Sequence, residues 1–163
     1  MTEDIEYLAQ LLGEQLVQRD WQISCAESCT GGGLGYAITS TAGSSAWFNR
    51  GYITYSNQAK SELLEVSEST LLQHGAVSAQ TVEEMAKGAA LKANASVGIS
   101  ISGIAGPDGG TGDKPVGNAW FGFFVDGKVL SKKQHFRGER AGVRLKAIEF
   151  ALSNTLSLLK KFN

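Results

Sequence analysis

The chain has 163 residues, of which 42% are hydrophobic, 19% are charged and two are proline, which describes one domain over residues 1–163 whose core needs neither disulfides nor a structural metal. Fifteen Lys and Arg against sixteen Asp and Glu give a formal charge of −1, so no broad positive field exists to hold nucleic acid or an anionic membrane, and any bound anion must be met by local donors. No apolar run approaches the roughly 20 residues that cross a bilayer, and residues 1–20 lack a basic region followed by an apolar core, so a cytoplasmic protein without a membrane partner is expected.

Ile5, Leu8, Leu11, Leu12 and Leu16 recur at helical spacing and predict an amphipathic helix over residues 3–19. The short alternating stretch Trp21–Ala26 predicts a strand, which runs through Glu27-Ser28-Cys29-Thr30 into Gly31-Gly32-Gly33 and a helix extending through Ala42. Trp47–Thr54 reads as a second strand, and Tyr55-Ser56-Asn57 follows, with Asn57 capping a short helix that carries Lys60, Leu63 and Leu64. His74 reads as the end of a helix, where a cationic side chain suits the dipole. Ser78 caps a helix through Ala93, whose stripe of Val82, Met85, Ala86, Ala89 and Ala90 predicts close packing flat on a sheet.

Val97–Ser102 predicts a third strand, and Gly103–Asp113 is too rich in glycine for regular structure. Asn118–Val125 and Lys128–Phe136 flank Asp126-Gly127, a strong hairpin signal that makes the sheet mixed. A last helix starts near Gly138 and presents Leu145, Ile148, Leu152, Leu156 and Leu159 on one face. The order αβαβααβββα predicts an α/β fold, a three-layer α/β/α sandwich with a mixed sheet.

Glycine gathers where chemistry is expected. In Ala26-Glu27-Ser28-Cys29-Thr30-Gly31-Gly32-Gly33 a hydroxyl sits between a strand and a helix opening, where backbone N–H groups stabilise developing negative charge and glycines admit a substrate close to the backbone. The same residues also read as an N-cap, with Ser28 or Thr30 satisfying helix amides. A serine nucleophile needs a base, and neither His74 nor His135 has the neighbours of a triad member. Lys60 is the alternative, provided burial leaves it neutral; otherwise it is a solvated surface lysine. Cys25 and Cys29 stand alone as a C-x3-C pair, so two reduced thiols and no metal site are expected.

At the start of the last helix, Gly138-Glu139-Arg140-Ala141-Gly142-Val143-Arg144 offers backbone N–H groups and guanidinium forks for a phosphate. Arg140 is the first choice, because an arginine on the first helical turn opposes the dipole; pairing with Glu139 is the other reading. The loop after the third strand, Gly103 to Gly110, falls where α/β sheets bind ligands, and it also reads as a tight rigid turn.

Six segments together resemble the CinA C-terminal domain family over nearly the whole chain. They are Ala26-Glu27-Ser28-Cys29-Thr30-Gly31-Gly32, Ala42-Gly43-Ser44-Ser45-Ala46-Trp47-Phe48, Gly51-Tyr52-Ile53-Thr54-Tyr55-Ser56-Asn57-Gln58-Ala59-Lys60, Gly75-Ala76-Val77-Ser78, Ser102-Gly103-Ile104-Ala105-Gly106-Pro107-Asp108-Gly109-Gly110 and Lys114-Pro115-Val116-Gly117. The resemblance implies hydrolysis of the carboxamide of nicotinamide mononucleotide to nicotinate mononucleotide and ammonia, in pyridine-nucleotide salvage. It implies a serine–lysine amidase that uses neither metal nor cofactor, with Ser28 as nucleophile, Lys60 as base and Tyr55 as polar assistant. Substrate contacts are then expected from Thr30, Gly31, Gly32, Ser102, Gly103, Gly106 and Arg140. The resemblance, with Trp47 and Phe48 in a polar context, also implies a homo-oligomer, a dimer being favoured.

Three positions depart from the family pattern: Gly33 adds a third glycine, Asn118 stands where Thr or Ser is usual, and Glu139 replaces an Asp. A nucleotide-binding or partner module that keeps the pocket without the chemistry is the competing reading. Longer family members carry a further N-terminal nucleotide-processing domain, whose activity is not expected here.

Overall fold

In the computed structural model, which describes residues 1–162, the elements follow the order α1 (Glu3–Arg19), β1 (Ile23–Glu27), α2 (Gly33–Thr39), a 3₁₀ turn (Ser44–Ala46), β2 (Phe48–Ile53), α3 (Asn57–Leu64), α4 (Glu68–His74), α5 (Ala79–Lys92), β3 (Val97–Gly103), β4 (Asn118–Val125), β5 (Lys128–His135) and α6 (Arg140–Leu159). The strands form one sheet in the order β2-β1-β3-β4-β5. β2, β1 and β3 run parallel, while β4 pairs antiparallel with both β3 and β5. Helices α1, α2 and α6 cover one face and α3, α4 and α5 the other, which makes the three-layer α/β/α sandwich with a mixed sheet.

The periodicities dictate these layers. Ile5, Ala9, Leu12 and Leu16 are the buried stripe of α1, and they meet Val143, Ala147, Ile148, Ala151 and Leu152 of α6 over one side of the sheet. On the other side Val82, Met85 and Ala89 of α5 pack with Ala26, Leu64, Val66 and Leu71. The small-residue stripe of α5 does bring that helix close to the strands. A side chain at Gly122 would run into the Val82 carbonyl, and Ser100 Oγ donates to the same carbonyl at 2.5 Å.

Several boundaries differ from the sequence reading. α2 ends at Thr39, short of Ala42, because the hydroxyls of Thr39 and Ser40 donate back to the carbonyls of Gly35 and Ala37, and Gly43 turns the chain at φ 82°. Ser56, in place of Asn57, caps α3, since its Oγ accepts from Ala59 N–H at 3.0 Å. A third helix, α4, lies between β2 and β3, and His74 ends it. Trp47 is not available for a subunit contact: it is 3% exposed and its ring fills the space above Gly13 of α1. No helix among the described residues is long and apolar enough to cross a membrane.

The architecture fixes where a site can form. The carboxyl ends of the three parallel strands lie at one edge of the sheet and deliver the links 28–32, 54–56 and 104–117 side by side. Arg140, the first residue of α6, reaches the same edge through its bond to Gly106.

Candidate active site at the carboxyl edge of the sheet

Ser28 directly follows β1. Its N–H donates to the Ile101 carbonyl at 3.0 Å, so the last rung of the sheet holds its backbone. Gly31 N–H closes a turn on the Ser28 carbonyl at 3.0 Å, and Gly33 N–H donates to the Thr30 carbonyl at 2.9 Å. Two consecutive turns of this kind need left-handed backbone, supplied by Gly31 at φ 55° and Gly32 at φ 101°. The Ser28 side chain is not the cap of α2. The residue before the helix is Gly32, without a side-chain cap, and the amides of Leu34 and Gly35 go to Glu27.

Lys60 comes from the second strand-to-helix junction. α3 places it on the face turned to the sheet, where the whole residue is 1% exposed. Its Nζ lies 3.3 Å from Ser28 Oγ and donates to the Thr54 carbonyl at 2.8 Å, with longer contacts to the carbonyls of Tyr55 at 3.4 Å and Ser56 at 3.5 Å. No carboxylate faces it, since the single ion pair among the described residues is Lys92–Glu65. Burial therefore disfavours the ammonium and lowers the Lys60 pKa to about 8, a shift that Cys29 partly opposes. Lys60 is thus no solvated surface lysine.

Glu27, quoted in the sequence motif without a role, proves central to the geometry. Its side chain is 2% exposed, with Oε1 accepting from Thr30 Oγ at 2.6 Å and Leu34 N–H at 2.8 Å, and Oε2 accepting from Gly35 N–H at 3.0 Å. Its backbone carbonyl accepts from Thr54 N–H at 2.8 Å. From the opposite side Arg144 Nη2 donates to the Thr30 carbonyl at 3.2 Å. No local signal announces this role of Glu27, because its bonds to the amides of Leu34 and Gly35 act over seven and eight residues, beyond the three-residue spacing of a capping box.

Arg140 does not pair with Glu139. Nη1 donates to the Gly106 carbonyl at 2.8 Å, and Nη2 lies 3.4 Å from Tyr55 Oη. One guanidinium thereby ties the start of α6 to both the β2–α3 link and the glycine loop. Tyr55 is 62% exposed, and its ring hydroxyl makes no bond to Ser28 or Lys60; only its carbonyl touches Lys60. Ser102 and Gly103 end β3 beside the strand that leads to Ser28, and Gly106 packs so tightly on Val116 that a Cβ there would collide with it. His74 and His135 lie elsewhere: the His74 carbonyl accepts from Lys114 Nζ at 2.7 Å, and His135 Nε2 lies 3.1 Å from the Val116 carbonyl.

Cys25 and Cys29 are free and buried, and burial raises both thiols, Cys29 to about 11. Neither is a ready nucleophile at neutral pH. Among the described residues no three His, Cys, Asp or Glu side chains gather around a possible metal position.

The CinA C-terminal domain model matches residues 5–159. The chain belongs to this family. It is 59% identical over 146 residues to nicotinamide-nucleotide amidohydrolase PncC of Enterobacter agglomerans, covering 89% of each chain. The protein of the same name from Escherichia coli K12 is 49% identical over 150 residues, 91% of each chain. Among solved structures, the competence/damage inducible protein CihA of Agrobacterium tumefaciens superposes with a TM-score of 0.94 at 39% identity, over 97% of both chains.

Proposed function

We propose that this CinA-family chain hydrolyses the carboxamide of nicotinamide mononucleotide to nicotinate mononucleotide and ammonia, in pyridine-nucleotide salvage, and does so by serine–lysine chemistry. The observation that carries the mechanism is the buried Lys60 Nζ, 3.3 Å from Ser28 Oγ with no carboxylate partner. The amidohydrolase name borne by similar proteins along nearly their full length supports the substrate.

In this reading neutral Lys60 accepts the Ser28 proton as Oγ adds to the carboxamide carbon. The carbonyl oxygen becomes an oxyanion. We assign the N–H groups of Thr30 and Gly32, which make no backbone hydrogen bond among the described residues, as its donors. Collapse of the intermediate breaks the C–N bond, and the Lys60 ammonium gives its proton to the departing nitrogen, which leaves as ammonia. A water then adds to the Ser28 ester with Lys60 again as base, and C–O cleavage returns the proton to Ser28 and releases the nicotinate carboxylate. Glycines 31 and 32 keep side chains out of this approach, while Ser102, Gly103 and Gly106 form the floor.

Arg140 is assigned to the phosphate. Its bonds to Gly106 and Tyr55 use one N–H on each terminal nitrogen, leaving further donors on an exposed guanidinium. Tyr55, tied to that guanidinium, assists at the mouth of the pocket. A groove between α1 and the Ser40–Gly43 link is the less suitable place, since Glu3, Glu6 and Glu14 line it and repel a phosphate.

Ammonia release from nicotinamide mononucleotide by the purified protein, abolished in Ser28→Ala, tests the proposal. Nucleotide binding without ammonia release would make the protein a binding module instead.

A further inference from the structure

We infer that Glu27 is a positioning residue for the nucleophile: its buried carboxylate brackets the Ser28–Gly31 turn and sets the angle at which Ser28 meets both Lys60 and the turn amides. The inference rests on Ser28 being the nucleophile and is indifferent to which amide is the substrate.

Three observations carry it. First, the carboxylate is buried directly before the nucleophile yet has no cationic partner among the described residues, and its three hydrogen bonds run forward across the turn, from Thr30 Oγ, Leu34 N–H and Gly35 N–H. A buried carboxylate is costly to desolvate, and an apolar residue of similar volume frequently serves a core equally well, so stability alone is a poor reason for a glutamate here.

Second, the sheet fixes Ser28 only up to its own amide. Beyond it the turn has its two internal bonds, and Thr30 is the residue gripped from outside, by Glu27 on its hydroxyl and by Arg144 on its carbonyl. Without the Glu27 grip, Gly31 and Gly32 leave the turn free to reorient, since glycine imposes least on the backbone.

Third, the same residue reaches the base. Lys60 Nζ donates to the Thr54 carbonyl and Thr54 N–H donates to the Glu27 carbonyl, both at 2.8 Å. The backbone of residue 27 thus sets the Lys60 side of the pair, and its side chain sets the Ser28 side. Sharing one residue keeps both halves of the dyad in register.

Glu27→Gln tests the side-chain half. Either orientation of the amide turns an NH2 toward an N–H or O–H donor, so at least one bond of the bracket is replaced by a donor–donor clash. Displacing a reacting group by an ångström or less costs up to about 100-fold in rate, so kcat should fall by about 10- to 100-fold per folded molecule while KM stays within about threefold.

The rate of Ser28 phosphonylation by a fluorophosphonate probe, which needs no substrate, should fall in parallel. Thr30→Val removes only the hydroxyl end of the bracket and decides the matter should Glu27→Gln fold poorly; kcat and labelling should drop together by about 5- to 20-fold. Unchanged kcat and labelling per folded molecule would overturn the inference, as would a raised KM with kcat intact. A wild-type protein that labels at Ser28 but leaves nicotinamide mononucleotide untouched would overturn the substrate reading and leave this one standing.

Discussion

Two strand-to-helix junctions meet at the carboxyl edge of the sheet, and each buries one ionisable side chain in a different way. At the β1–α2 junction Glu27 accepts three hydrogen bonds from the turn and the first amides of α2, so its carboxylate is matched and immobile. At the β2–α3 junction Lys60 meets only carbonyls and one hydroxyl, with no carboxylate to hold its charge. In the proposed mechanism the first arrangement is a scaffold and the second a reagent. A buried lysine without an anion is drawn toward its neutral, basic form. Ser28, the proposed nucleophile, stands between them, its loop shaped by one junction and its hydroxyl 3.3 Å from the lysine of the other.

Removing the reagent should produce the largest effects. Ser28→Ala is expected to lower turnover by about 1000-fold or more while leaving the fold and nucleotide binding intact, read as ammonia release beside a binding titration. More than a tenth of the wild-type rate remaining would show that Ser28 is not the nucleophile. Lys60→Arg keeps a cation but cannot give up its proton, so it should be as damaging as Lys60→Ala. A Lys60→Arg enzyme retaining most of its activity would turn Lys60 into an electrostatic residue and erase the contrast between the junctions.

Arg140→Ala acts on neither junction's proton chemistry. Losing a charge-assisted phosphate contact costs about 2–3 kcal/mol, so use of nicotinamide mononucleotide should weaken by about 30- to 150-fold, whereas nicotinamide riboside, lacking the phosphate, should lose little. Equal losses on both substrates would move Arg140 from recognition to support of the Tyr55–Gly106 tie.

The pH profile is a subtler probe. With Lys60 lowered to about 8, the basic form should be about a tenth of the total at pH 7, and kcat should climb roughly tenfold to a plateau above pH 9. The sign for stability follows from the same shift. Between pH 8 and the ordinary lysine value of 10.5 the unfolded chain binds more protons than the folded one, so the destabilisation due to Lys60 is full below pH 8 and fades as pH rises through that window. Wild type should therefore gain stability relative to Lys60→Met over this range, in denaturant titrations at each pH. The smallest effect is expected from chelation: exhaustive treatment with EDTA should leave activity within about twofold, and recovery only on adding a divalent ion would require another mechanism.

Much of this protein was legible in its residues. The apolar stripes of α1, α5 and α6, the Asp126-Gly127 hairpin and the Ser78 cap are local signals that tertiary structure had no cause to override. Both junctions also read from the residues as polar strand-to-helix turns, because Ser28 before glycines and Lys60 after Tyr55-Ser56-Asn57 are unusual at those places. Sequence could not choose between a capping serine and a nucleophile, or between a surface lysine and a base. Those choices depend on what packs around the side chain.

The fold supplies those surroundings by long-range contact. Setting β1 between β2 and β3 brings Lys60 to Ser28 across 32 residues, and packing α3 over the sheet removes its water. Glu27 was invisible for the same reason: two of its three partners, the amides of Leu34 and Gly35, lie beyond any capping spacing and complete the bracket only when the chain folds back over the strand end. Arg140 reaches Tyr55 over 85 residues. Periodicity and turn chemistry are properties of neighbouring residues and survive in the bare sequence. Burial, and the proton affinity it shifts, belongs to the surroundings that only the assembled layers provide.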